Sequence, residues 1–133
     1  MSRAILDRYY GYGVANAYLG DEDQGQMSAW FVMTAIGLFQ TDGACRVNPI
    51  YEIGSPLYEK TVIHLGKRYN RGKTFTIKAR NTSRKNKYVQ GAVLNGKKLE
   101  TFWFPASELL KGGELILEMG PEPNKKWGLG QLP

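Results

Sequence analysis

The sequence predicts an α+β fold in which a helical N-terminal segment precedes a small antiparallel β region. Apolar residues have helical spacing up to about residue 41, and beyond it they alternate with polar residues, as half-buried strands require. The dipeptide Asn95-Gly96 favours a tight hairpin, because both residues tolerate positive φ. We divide the chain into residues 1–45, the helical segment, and residues 46–133, which we expect to form a sandwich or a curled sheet.

Two helices are predicted in the N-terminal segment. The first covers residues 4–10 and is ended by the glycines that follow it closely. The second covers residues 26–39 and is apolar almost all round, with no charged residue between Met27 and Phe39. Because a helix on the surface of a small domain normally has a charged face, we expect this helix to pack on partner helices outside the chain.

Five strands and one helical turn are predicted in the β region. Alternation places Phe75, Ile77 and Ala79 on one face of the second strand, and Leu115 and Leu117 on the inner face of the last. The strands cover residues 61–65, 73–79, 87–94, 97–104 and 114–119, and the helical turn covers residues 105–110.

Length and composition limit the class of protein. A chain of 133 residues with 42% hydrophobic residues is long enough for one independent core. Cys45 is the only cysteine, which excludes an intramolecular disulfide and a thiolate zinc site. No apolar run approaches the roughly 20 residues of a membrane-spanning helix, and residues 1–7 lack the apolar segment of a signal peptide.

The net charge of +6 is unevenly distributed along the chain. Residues 1–42 carry two cations and five anions, whereas residues 43–133 carry 16 cations and seven anions. The cations lie mostly beside Gly or Asn at predicted turns, where they serve solubility and discourage strand pairing. Because no recognition motif accompanies them, we expect no nucleic-acid partner.

The turn before the second helix holds three consecutive carboxylates, Asp21, Glu22 and Asp23. Adjacent like charges raise one another's pKa, so such a turn indicates a bound cation, a poised base or a helix terminus. Asp23 followed by Gln26 fits a capping box, which stabilises a helix by about 1 kcal/mol, and the residues alone favour this interpretation over catalysis. A twelve-residue calcium loop is not matched, because Met27 lies where an oxygen ligand is needed.

A resemblance to a known family involves almost the whole chain. Residues 20–31, Gly-Asp-Glu-Asp-Gln-Gly-Gln-Met-Ser-Ala-Trp-Phe, resemble the late signature of the family 92 glycoside hydrolases, which are calcium-dependent, exo-acting α-mannosidases. Residues 35–39, 51–57, 73–77, 94–97 and 112–124 are also similar to the C-terminal part of these enzymes. Because those enzymes are several times longer, the resemblance implies a C-terminal piece: the end of an (α/α)6 barrel followed by a terminal β region.

The resemblance also implies a reaction, the inverting hydrolysis of terminal α-linked mannose, with α-1,2 linkages expected and calcium holding sugar hydroxyls. Inversion needs an acid and a base whose carboxyls are about 6.5–9.5 Å apart. Asp23 is the candidate base and Asp21 its partner, and Asp23 is also a candidate calcium ligand, directly or through water; Glu22 is expected to point away. The acid lies upstream in the family, so we expect the chain to be inactive alone.

A second class of function stays open: a non-catalytic β module that binds carbohydrate or docks on another part of an enzyme. The apolar helix at 26–39 argues against a self-contained module, which would expose it. We expect this helix to pack on the rest of a mannosidase chain, or to make the isolated chain self-associate. Trp30 is of a type that stacks on sugar, but its place within an apolar helix favours the core. His64 is expected on a strand without a catalytic role. The resemblance implies that the parent enzyme is secreted or periplasmic.

Overall fold

A computed structural model describes residues 2–11, 17, 20, 22–66, 68–69 and 71–132. Within these residues the chain forms three helices and eight strands, so the α+β prediction is confirmed. In chain order they are α1 (Ser2–Tyr9), α2 (Gln26–Ile36), β1 (Leu38–Phe39), β2 (Ile50–Ile53), β3 (Lys60–His64), β4 (Thr74–Arg80), β5 (Tyr88–Leu94), β6 (Lys97–Leu99), β7 (Trp103–Pro105), α3 (Ala106–Lys111) and β8 (Gly113–Gly120).

The strands form two sheets, and one of them is mixed rather than antiparallel. A three-stranded antiparallel sheet has the order β1-β2-β7, and a five-stranded sheet has the order β3-β4-β8-β5-β6. Within the larger sheet β4 and β8 run parallel, which corrects the prediction of an antiparallel region. The reason is that α3 ends beside the start of β4, where the N–H of Gly72 donates to the carbonyl of Leu110 at 2.9 Å, so β8 begins at the same end.

The two sheets contribute to a single core. Alternate residues of β4 are buried, as the sequence predicts, and they pack with buried residues of β5 and β8. The ring centroids of Phe75 on β4 and Phe104 on β7 are 6.0 Å apart, which brings the larger and smaller sheets into contact. Leu38 of β1 and Leu109 of α3 complete this cluster, so a helix and both sheets exclude water from the same volume.

The second helix is shorter than predicted. It ends at Ile36 because Gly37 adopts φ 82°, and the N–H of Gly37 donates to the carbonyls of Met33 and Thr34. Leu38 and Phe39, predicted as helical, instead form β1 and pair with β2. The apolar run therefore contains a helix and a strand, because a left-handed glycine interrupts the helical backbone.

The predicted hairpin is confirmed, although its second strand is shorter. Asn95 and Gly96 have φ of 49° and 79°, and Leu94 pairs with Lys97 across the turn. The strand predicted at 97–104 is divided in two: β6 stays in the hairpin, whereas β7 pairs with β2 in the other sheet. The remaining predicted strands and the helical turn are present within about two residues of their predicted ends.

The helical segment and the β region touch directly. The guanidinium of Arg3 on α1 donates to the carbonyl of Pro56, and the N–H of Leu57 donates to the carbonyl of Ala35 on α2. The boundary after residue 45 stays a prediction, and it falls between the paired strands β1 and β2. Across the described residues, no helix has the length and apolar character needed to cross a membrane.

Candidate functional site

The carboxylate turn is a tight bend that leads directly into α2. The N–H of Gly25 donates to the carbonyl of Glu22 at 2.9 Å, which closes a four-residue turn with Asp23 and Gln24 in its middle. Gly25 adopts a left-handed φ of 69° and is the last residue before the helix. The turn therefore places Asp23 at its tip, immediately before the first turn of α2.

Glu22 folds back across the N-terminus of α2. Its Oε2 accepts the N–H of Met27 at 2.9 Å, and its Oε1 accepts both the N–H of Ser28 at 2.7 Å and the Ser28 hydroxyl. The first N–H groups of a helix have no partner within the helix, so one carboxylate satisfies two of them here. Glu22 is thus the side chain that caps α2.

This geometry corrects one prediction and leaves another untested. The carboxylate of Glu22 is bonded to the helix, and its expected direction away from a pocket shared by Asp21 and Asp23 stays a prediction. The capping box expected between Asp23 and Gln26 is not formed, since Gly25 precedes the helix and the cap comes from Glu22. The sequence rule failed because it considers a partner three residues away, whereas the bend brings Glu22 to residues five and six positions ahead. The glycine just before the helix was the only local signal of such a bend.

The hydrogen bonds change the acidity of Glu22. The Ser28 hydroxyl is the main cause of a lowered pKa, and the N–H groups of Ser28 and Met27 act in the same direction. Desolvation raises the pKa but is outweighed. Glu22 is therefore ionised at neutral pH and complements the positive end of the α2 dipole.

Asp23, in contrast, has no partner among the residues that the structure describes. Its side chain is exposed, and its carboxylate makes no hydrogen bond or ion pair with any of them. The predicted partner Asp21 lies outside the described residues, as does the predicted pairing of the two carboxylates. The two described carboxylates of this turn consequently differ: that of Glu22 is bonded to the helix, and that of Asp23 remains accessible.

A groove of about 360 Å³ lies along α2 from its first residue. Its walls include the ring of Trp30, the amide-bearing Gln26 and Gln40, and the rings of Phe39 and Tyr51. Trp30 is half-buried and stacks on Tyr10 with ring centroids 5.4 Å apart, so it lines a groove instead of filling the core as predicted. Aromatic walls with a few amides suit a ligand that has both apolar faces and hydroxyl groups.

The described residues do not by themselves form a metal site. No group of three His, Cys, Asp or Glu side chains in this part of the chain lies close enough to hold an ion, and the Glu22 carboxylate already accepts three hydrogen bonds. Calcium takes six to eight oxygen ligands, so these residues do not fit a calcium ion without others. His64 lies exposed on β3, a strand residue as predicted.

The sequence matches a known family over most of its length. The profile of the glycosyl hydrolase family 92 catalytic domain matches residues 1–121. The class is therefore that of glycoside hydrolases. The chain belongs to glycosyl hydrolase family 92, a family of mannosidases.

Solved structures and a curated relative agree with this assignment. The family GH92 inverting mannosidase BT2199 from Bacteroides thetaiotaomicron is 38% identical, with a TM-score of 0.80 over 96% of this chain and 16% of its own. The α-mannosidase BT3965 from the same organism, solved in complex with mannoimidazole, is 33% identical with a TM-score of 0.82, over 97% of this chain and 16% of its own. A protein of Arthroderma benhamiae described as an uncharacterized secreted glycosidase is 36% identical over 114 residues, 84% of this chain and 14% of the relative.

The chain is thus about one sixth as long as these relatives.

Proposed function

We propose that the chain is the C-terminal portion of an inverting α-mannosidase that removes terminal α-linked mannose, and that Asp23 is its general base. The observation that carries this proposal is the exposed, unpartnered carboxylate of Asp23 at the tip of a turn whose neighbour Glu22 is bonded to α2. A general base needs an accessible, ionised carboxylate within hydrogen-bond reach of water. The similarity to an enzyme described as an inverting mannosidase supports the stereochemistry.

In this reaction Asp23 accepts a proton from water as the water oxygen attacks the anomeric carbon of mannose. The bond from that carbon to the leaving oxygen breaks on the opposite face, and an acid residue gives the leaving oxygen a proton. Asp21 assists by holding the water. The acid belongs to the part of the enzyme upstream of this chain, so the isolated chain is inactive.

Calcium is proposed only for the complete enzyme. The described residues lack the ligands for it, and no step of the reaction proposed here passes through the ion. Asp23 as a ligand, direct or through water, stays a prediction. Chelation of calcium is expected to abolish hydrolysis by the complete enzyme, and added calcium is expected to restore it.

The decisive experiment measures hydrolysis of a chromogenic α-mannoside by the complete enzyme and by Asp23→Asn. Loss of a general base typically costs about 10²–10⁴-fold in rate. Asp42→Asn is the matched control, because Asp42 lies on a loop where it pairs with Arg46. Full activity of Asp23→Asn, or turnover by the isolated 133-residue chain, would contradict the proposal.

The substrate linkage and the compartment of the complete enzyme follow from its relatives. We infer a preference for α-1,2 linkages from the family resemblance, and rates on α-1,2-, α-1,3- and α-1,6-mannobiose test it. Export of the complete enzyme is supported by the relative that is described as secreted. Fractionation of the source cells tests export.

We also propose that the solvent-exposed face of α2 packs against another protein surface. Val32 is 55% exposed and Ala29 next to it on this face is exposed as well, whereas Met33 and Ile36 pack on the core. The occupant in the complete enzyme is the rest of the mannosidase chain, and in isolation a second copy. Light scattering at high concentration is expected to show dimers or larger species that Val32→Lys disperses. Val47→Lys, at a loop position that is 98% exposed and outside α2, is expected to leave them intact.

A carbohydrate-binding module is the second candidate function, and one groove favours it. This groove, of about 490 Å³, is lined by Trp103, Ile50 and Pro105 and by the polar residues Asn48 and Ser107. The indole N–H of Trp103 donates to the carbonyl of Gln131 at 2.8 Å, which holds a flat apolar surface of the kind on which sugar rings stack. Titration of the chain with methyl α-mannoside, followed by NMR, is expected to shift the Trp103 signals if this module binds sugar. Shifts confined to the residues around Trp30 would favour the first proposal.

A further inference from the structure

The two described carboxylates of the turn hold different positions, although they are adjacent in sequence. The backbone of Glu22 accepts the N–H of Gly25, and its side chain accepts two N–H groups and a hydroxyl from α2. Asp23 lies inside the loop that these contacts close. Glu22 is therefore held by both its backbone and its side chain, and Asp23 is the next residue in the chain.

We propose that Glu22 is a positioning residue for catalysis, which sets the location of the Asp23 carboxylate relative to α2 and to the substrate. This inference rests on the proposed function of Asp23. Glu22 itself touches no substrate, because its oxygens are occupied by Met27 and Ser28. Its role is to stop the turn from swinging away from the helix.

The arrangement matters because glycines lie on both sides of the carboxylates. Gly20 and Gly25 both have open space where a Cβ would lie, so neither position fixes the backbone by a side chain packed on the described residues. Gly25 makes the backbone at the start of the helix permissive as well. The hydrogen bonds that Glu22 accepts from Gly25, Met27 and Ser28 therefore hold the turn against the start of α2.

Displacement of a catalytic group by about 1 Å is enough to reduce a rate roughly 10²-fold. In the complete enzyme we therefore expect Glu22→Ala to lower kcat by about 10- to 100-fold with KM changed by less than about threefold. Glu22→Gln keeps an oxygen that accepts an N–H, so its kcat should lie between those of Glu22→Ala and the native enzyme. Ser28→Ala removes one of the three donors and should give a smaller loss, which separates positioning from a folding defect.

Glu52 provides the matched control. It makes the same kind of contact elsewhere, accepting the N–H of Thr41 at 3.2 Å and the Thr41 hydroxyl at 2.6 Å. Glu52→Ala is expected to leave kcat within about twofold. If Glu22→Ala retains native kcat, or if its loss of activity equals its loss of folded protein, the positioning role is wrong.

A measurement on the 133-residue chain tests the anchor without any activity. Amide exchange at Met27 and Ser28 should accelerate at least tenfold in Glu22→Ala, while Asp23→Asn should leave it unchanged. Unchanged exchange in Glu22→Ala would refute the anchor. If Asp23→Asn is fully active while Glu22→Ala loses kcat, the assignment of the base fails and so does the role of Glu22 in placing it. If Asp23→Asn is inactive and Glu22→Ala is not, only the positioning role fails.

Discussion

Arg3 on α1 donates a hydrogen bond of 2.6 Å from Nη1 to the carbonyl of Pro56, 53 residues away. The same carbonyl accepts the hydroxyl of Thr82 at 3.1 Å, and Nη2 of Arg3 reaches the carbonyl of Ser83. Arg3 is only 4% exposed, and this burial lowers its pKa, with the negative charge of Asp7 acting in the opposite direction. One buried cation thus holds the first helix against two loops of the β region.

Removal of this cation should destabilise the fold. Arg3→Ala leaves buried carbonyls with fewer donors, and we expect a loss of about 1.5–3 kcal/mol in the free energy of unfolding, measured in urea. Arg3→Lys reaches one carbonyl and should lose less. Arg8→Ala, on an exposed position of the same helix, should change stability by less than about 0.5 kcal/mol. Equal effects of Arg3→Ala and Arg8→Ala would show that the bond to Pro56 contributes nothing.

Pro56 also restricts Gly37. A Cβ built on Gly37 would lie 2.8 Å from Cδ of Pro56, and the φ of 82° is unfavourable for other residues. Gly37→Ala is therefore expected to cost about 1–3 kcal/mol or more, seen as a lower midpoint of thermal unfolding. Gly43→Ala is the matched control, because Gly43 also has positive φ but no atom within 4 Å of its Cβ position. A Gly37→Ala variant no less stable than Gly43→Ala would contradict the close approach.

Phe104 joins the two sheets and is completely buried. Its truncation to Ala leaves a cavity beside Phe75, so we expect a loss of about 3–5 kcal/mol in denaturant unfolding. Phe104→Leu, which leaves a smaller cavity, should lose less. Tyr58→Ala, at a site 52% exposed, should have little effect, and a comparable loss there would argue against a shared core.

Glu108 on α3 should make stability depend on pH. Its hydrogen bond from Lys111 at 2.5 Å is the main cause of a lowered pKa. A carboxyl with a lower pKa in the folded state contributes stability above its unfolded pKa of about 4.3, and this is lost as pH falls through the folded value. Glu108→Gln should therefore lower the midpoint of thermal unfolding at pH 7. The loss in the free energy of unfolding should be less than about 1 kcal/mol, because the ion pair is largely exposed to solvent.

The difference between Glu108→Gln and the native chain should disappear as pH falls below the pKa of folded Glu108. A constant difference from pH 7 to pH 2 would show that the substitution acts by packing and not by charge.

The sequence alone was sufficient where local rules decide. The alternation around Phe75 and the dipeptide Asn95-Gly96 correctly predicted a strand and a hairpin, because side-chain period and backbone φ are properties of a few adjacent residues. The helix at residues 26–39 was placed correctly at its start, but Gly37 was not seen as its end. The periodicity of a continuous apolar run does not distinguish a buried helix from a buried strand.

Membership in a glycoside hydrolase family and Asp23 as a candidate base followed from the sequence, because a long motif is a property of residue order. Only the tertiary structure decided that Glu22 caps α2, that β4 and β8 run parallel, and that Arg3 reaches Pro56. These three features depend on which distant segments meet. The contacts of Glu22 depend on a bend of the backbone, and the parallel pairing depends on the connection through α3. Neither feature produces a periodic pattern in the sequence.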